Sequence, residues 1–322
     1  MANNEYMVQR SGASCIREAY LLFINNIKRI FLNTWKPVLA FSLVAGLGTL
    51  LLPPVFNTAM VDAPQTELQA IANYASTVFG PVIYEIVCCG VFFWILANVQ
   101  TLLTGGKQKE NIKHSLKFYL ASALFYVVIF LLLNIIGYLV GMSLVKGGMP
   151  VNRLMYWLLI GWGIVGLVFL LHIPAYYYAT VKCLQRVDLN PFKSFLPSLW
   201  GGIRHWGFLF KVFFITGIIT LLINCVVFLP TAVILMAQNV DAYNQIVMGD
   251  PSGLPSTFPL WMCLSIALSA FILSYVGIWQ YLNFFIATCS LDVRDQKKKE
   301  AQALAAQPQE TTEKKLDYEE FH

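Results

Sequence analysis

The chain has 322 residues, of which 57% are apolar, 14% aromatic and only 12% charged, with a formal net charge of +5. A soluble domain carries about 25% charged residues, and a soluble core of this length cannot hide so much apolar surface behind a polar exterior. A soluble enzyme, a disordered chain and a disulfide scaffold are thereby excluded, and a membrane-spanning chain remains.

Residues 1–37 form a lead-in. Within it Ile16, Tyr20, Phe23, Ile24, Ile27, Ile30 and Phe31 share one helical face, and Arg17, Glu18, Asn25, Lys28 and Arg29 fall largely on the other. That pattern predicts an amphipathic helix over 15–31 lying in the membrane interface. Six long apolar runs follow, at 38–61, 78–103, 118–145, 154–181, 208–237 and 260–289. Each exceeds the roughly 20 residues that cross a bilayer as a helix. None alternates with period two, as the strands of about 10 residues in a membrane barrel do. Several are longer than a minimal span, which implies tilt or a cytosolic extension.

The predicted fold is all-α: a polytopic membrane bundle of six transmembrane helices over 38–289, arranged as three hairpins. A second amphipathic stretch at 190–206 precedes the fifth run. Asn190 is placed to cap it and Pro191 to fill its first turn. Residues 109–117 are a shorter version of the same lead-in. The tail, 290–322, is rich in Lys, Gln, Glu and Ala; it is expected to be disordered, or helical only near 296–306.

Basic residues set the orientation. Twenty of the 22 Lys and Arg flank one side of the spans, and only Lys146 and Arg153 fall on the other. The loops 62–77 and 238–259 carry none, so both termini are expected in the cytoplasm. The basic excess lies in membrane-flanking segments, where it attracts anionic lipid headgroups. A nucleic-acid site would gather that charge on one folded surface, and none is expected. No secretory signal is visible, since the first apolar run is too long for one. Seven cysteines lie in spans or cytoplasmic segments with no zinc-site spacing; they read as small apolar residues.

The stretch Asp188-Leu189-Asn190-Pro191-Phe192-Lys193-Ser194, followed by Trp200-Gly201-Gly202 and an apolar span, resembles bacterial six-span proteins, among them the membrane domain attached to some glycerophosphodiester phosphodiesterases. The resemblance implies a helical bundle in a cytoplasmic (inner) membrane. It carries no catalysis with it, because the phosphodiesterase's catalytic barrel is absent from this chain.

Polar residues inside the spans are the candidate functional groups. Glu85 is the only acidic residue within the six runs, about 10 Å below the outer end of its span at 1.5 Å per residue. Asn57 is a plausible partner at similar depth. They fit either a cation or proton relay near the outer mouth or a solvated interfacial carboxyl. His172, Asn98 and Gln280 share a level near the cytoplasmic ends of their helices, with Tyr176, Tyr177, Tyr178, Tyr281 and Asn283 nearby. They fit either a cytosol-facing polar pocket or an aromatic belt. Asn134 and Asn224 read as interhelical hydrogen-bonding groups.

Gly137 with Gly141, and Gly161 with Gly163 and Gly166, read as close-packing faces; the second set spells a dinucleotide fingerprint but lacks the strand such a site requires. Pro53, Pro54 and Pro174 are placed to kink their helices. No hydrolase elbow, paired-carboxylate site, metal motif or phosphate loop appears, and no cofactor is expected. A catalytic cluster would have to assemble from His114, His205 and Asp188.

Three functions remain open. One is a non-enzymatic scaffold or accessory protein, with its protein partner or self-association unspecified. The second is a carrier or channel for a small solute or lipid using Glu85. The third is a lipid-active enzyme, for which only the resemblance speaks.

Overall fold

The computed structural model describes residues 6–51, 67–148 and 150–306. These form eight α-helices: α1 (Gly12–Asn25), α2 (Ile27–Leu51), α3 (Glu67–Thr104), α4 (Gln108–Lys146), α5 (Val151–Gln185), α6 (Pro191–Arg204), α7 (Trp206–Tyr243) and α8 (Phe258–Ala306). No strand occurs among the described residues. The helices α2, α3, α4, α5, α7 and α8 are each long and apolar enough to cross a membrane. The chain is an all-α bundle with six candidate spans and two shorter helices ahead of the first and fifth. Asn57, Pro53 and Pro54 lie outside the described residues.

The helices outrun the apolar runs that mark them. α4 has 39 residues, about 58 Å at 1.5 Å per residue, against a hydrocarbon core of about 30 Å. Its first turns absorb the 109–117 stretch, which is therefore not a separate element. α2 begins at Ile27, ahead of the apolar run at 38, because Lys28, Arg29 and Lys36 interrupt the hydropathy but not the backbone hydrogen bonding.

The predicted helix over 15–31 is split. α1 ends at Asn25, and the Asn26 amide donates to the Leu22 carbonyl at 3.0 Å as the chain turns into α2. α6 matches its expected start: the Asn190 side chain accepts from the Phe192 N–H at 3.1 Å, with Pro191 in the first turn.

α8 is the central helix and packs on α1, α2, α3, α5 and α7. Every residue from 281 to 291 is buried. α7 runs alongside it, with the Thr231 hydroxyl bonded to those of Ser265 and Ser269 at 2.7 and 3.1 Å and Arg294 over the Phe208 ring at 4.5 Å. α2 packs on its other side, with the Phe31 and Tyr275 rings stacked at 5.8 Å. Bonds joining α3 to α4 include those from the Ser115 hydroxyl to the Phe93 carbonyl at 2.8 Å and from the Tyr119 hydroxyl to the Ile86 carbonyl at 2.7 Å.

Burial is strongly asymmetric along the bundle. The core gathers where the chain's basic segments lie, around Ile95, Phe118, Ala179, Phe195, Leu209 and Phe284. At the opposite end α4, α5 and α7 present apolar side chains outward: Tyr138 is 67% exposed, Leu159 66% and Val226 73%. A soluble monomer rarely shows such a surface; a bilayer is the solvent it suits. The two short helices each use two faces. α1 buries Cys15 and Ala19 and leaves Tyr20 and Ile24 exposed, and α6 buries Phe195 and Leu199 and leaves Phe192, Leu196 and Trp200 exposed.

The glycine faces do not pack as expected. A Cβ added at Gly137, Gly141, Gly161, Gly163 or Gly166 would meet nothing within 4 Å, so these residues face open space rather than a packed neighbour. Close helix approach occurs instead at Gly202, where an added Cβ would come within 2.7 Å of the Ala175 carbonyl oxygen.

Candidate functional site

The polar residues singled out in the spans do not converge. Glu85 lies on the exposed side of α3. It accepts from the Cys89 thiol one turn on, at 3.6 Å, an intrahelical contact that builds no path across the bundle. Asn134 is exposed and donates to the Phe130 carbonyl of its own helix at 2.7 Å. The interhelical bond expected of it is absent because the outer half of α4 has no neighbour on that face.

The set around His172 is dispersed as well. His172 bonds through Nε2 to the Tyr126 hydroxyl on α4 at 2.8 Å. Asn98 accepts from the Gln108 amide at 2.6 Å. Asn283, fully buried, donates to the Trp279 carbonyl of α8 at 2.8 Å. Gln280 is half-buried on the same helix. Tyr126, His172 and Tyr176 do meet, in an aromatic cluster with Phe118, Phe125 and Phe195 that seats α6 on α4 and α5. Its ring centroids stand 5.4–6.5 Å apart, in the range of stabilising edge and tilted contacts. His172, Asn98 and Asn283 thus bond three different partners, on α4, at the start of α4 and within α8.

The side chains that do converge lie lower, between the first turns of α4 and the turn joining α5 to α6. Glu110, Lys113, His114 and Lys117 come from α4, and Asp188 and Asn190 from the turn. They bound a cavity of about 620 Å³, within the roughly 300–1,000 Å³ of small-ligand sites. His114 forms its inner wall: it is 6% exposed, and Nε2 lies 2.8 Å from the Cys183 carbonyl oxygen, which ties α4 to α5. Lys113 and Lys117 are four residues apart, one turn of one helix face, and both are exposed.

Of the residues proposed to assemble from loops, His114 and Asp188 reach this cavity. His205 does not; its Nε2 bonds Asp295 at 3.0 Å at the other side of α6. Among the described residues no group of three His, Cys, Asp or Glu side chains could hold a metal ion.

Charge counting recorded Lys113 and Lys117 only as orientation markers. Their i, i+4 spacing beside His114, and the Asp188–Phe192 motif ahead of α6, were the signals that mark them as a site. Residues 188–192 thus wall the cavity. No family model matches the chain, and no curated protein or solved structure matches it.

Proposed function

We propose that this protein is a non-enzymatic scaffold or accessory protein of the cytoplasmic membrane that holds phospholipid headgroups at its basic end, with both termini in the cytoplasm. The observation that carries the reading is the asymmetry of the bundle. Its packed core and its cations share one end, while its other end presents exposed apolar helices. Two amphipathic helices, each with one face in the core and one free apolar face, lie at the level where headgroups would stand. Anionic lipid is drawn to such basic juxtamembrane segments by about 1 kcal/mol per cation near the surface.

The carrier reading rests on Glu85, and an exposed carboxylate on the outside of α3 gives it no path through the bundle. Two measurements test the scaffold reading. Native mass spectrometry of protein extracted in mild detergent should retain bound phospholipid, and crosslinking in intact membranes should recover one stable partner or a defined self-assembly. A protein that sheds all lipid and crosslinks to nothing would overturn it.

A further inference from the structure

We infer that the cavity between α4 and the α5–α6 turn is a binding site for a single zwitterionic phospholipid bearing a primary ammonium group, of the phosphoethanolamine class. This rests on the proposal that the basic end lies at the headgroup level, and it goes further in naming the headgroup.

The argument is one of charge. The cavity is not simply cationic: Lys113 and Lys117 are balanced by Glu110 and Asp188 around the same space. Among the described residues Lys113, Lys117 and Asp188 have no ion-pair partner, and Glu110 pairs only with the exposed Lys107, at 3.4 Å. Two free ammonium groups beside two carboxylates match a phosphate diester joined to an ammonium. The phosphate oxygens accept from the lysines, and the ligand's N–H groups donate to the carboxylates.

Position agrees with charge. The α4 face changes from charged to apolar across this stretch, since Leu116, Leu120 and Leu124 are exposed while Lys107, Lys109 and Glu110 precede them. A headgroup seated at Lys113 and Lys117 would therefore leave its acyl chains against exposed leucines and against Phe192 and Leu196 of α6. The lipid source follows from that apolar continuation, because a free phosphate ester in the cytosol would gain nothing from it.

The test is a titration of delipidated full-length protein with dioleoyl phosphatidylethanolamine, phosphatidylcholine and phosphatidylglycerol, read by native mass spectrometry. The wild type should favour the ethanolamine lipid over the choline lipid by about fivefold, since a quaternary ammonium cannot donate to the carboxylates. Lys113→Ala with Lys117→Ala should lose retention of the ethanolamine and choline lipids alike. Glu110→Gln with Asp188→Asn should keep binding but lose the preference. Lys107→Ala, which removes only the outlying ion pair, should leave selectivity unchanged.

These positions are exposed, so thermal unfolding of each variant should match the wild type. Equal binding of ethanolamine and choline lipids, or preference for the glycerol lipid, would overturn this inference while leaving the scaffold proposal standing. Failure of the wild type to retain any phospholipid would overturn this inference, and joined to an absence of any crosslinked partner it would overturn the scaffold proposal as well. Soluble glycerophosphoethanolamine binding as tightly as the lipid would show the cytosol to be the source and would refute the membrane assignment.

Discussion

Tyr281 on α8 donates its hydroxyl hydrogen to the Gln100 side-chain oxygen on α3 at 2.8 Å, and both residues are buried. The bond joins the central helix to the second span across 181 residues of sequence. The Gln100 amide nitrogen has no partner among the described residues, so the carboxamide's one bond is the one its oxygen accepts from Tyr281.

Tyr281→Phe should therefore destabilise the bundle by about 1–3 kcal/mol, the cost of leaving a buried polar group unpaired. The readout is thermal unfolding in detergent. Adding Gln100→Leu should recover part of the loss, because both polar partners are then removed. A Tyr281→Phe protein as stable as the wild type would show that the carboxamide reaches water.

Gly202 sets how closely α6 lies on α5. A Cβ there would stand 2.7 Å from the Ala175 carbonyl oxygen and 2.8 Å from its Cα, and backbone cannot yield as a side-chain tip can. Gly202→Ala should cost about 1–3 kcal/mol as an overpacking change. Gly207→Ala, five residues on with nothing within 4 Å, should be neutral or gain up to about 1 kcal/mol from helix propensity. Equal effects of the two substitutions would reject the close approach.

The six spans were legible because length and continuous apolarity suffice to mark a membrane helix, and α6 because a cap, a proline and a 3.6-residue period coincide. The candidate site was less legible. Depth along a helix places Glu85, His172, Asn98 and Gln280 at levels but says nothing of azimuth, and in the folded chain their side chains point to different neighbours. The glycine faces misled for a related reason. Small residues permit close packing, yet those on α4 and α5 face open space. The cavity at Lys113 and Lys117 depends on the turn after α5 folding back across α4, a contact between segments some 70 residues apart that no local pattern encodes.

Lys182 and Asp292 form an ion pair between α5 and α8, with side-chain exposures of 16% and 25%. Lys182 also stands 5.9 Å from the centre of the Tyr178 ring. Partial burial places the pair between the small worth of surface bridges and the larger cost of breaking a buried one. Asp292→Asn should lower stability by about 1–2 kcal/mol. The exchange Lys182→Asp with Asp292→Lys should restore part of it. A stability loss that vanishes in 1 M salt would instead class the pair as a screened surface contact.

Asp241 organises the turn at the far end of α7. Its carboxylate accepts from the Gln245 amide at 2.6 Å, the Ser252 hydroxyl at 2.8 Å and the Gly253 N–H at 2.8 Å. Asp241→Ala should free this segment, so that amide hydrogen exchange at Gly253 and Leu254 speeds up while exchange within α8 stays unchanged. The same turn tests orientation, because the proposed topology puts it outside the cell and the α4 start inside. A cysteine placed by Ser256→Cys should react with a membrane-impermeant maleimide in intact cells, whereas Lys109→Cys should react only after permeabilisation. Both positions are exposed, and the native cysteines are buried, half-buried or, for Cys225, set in an apolar span. The reverse labelling pattern would invert the bundle, carry Lys113 and Lys117 to the outer leaflet and end the assignment of the basic end to the cytoplasm.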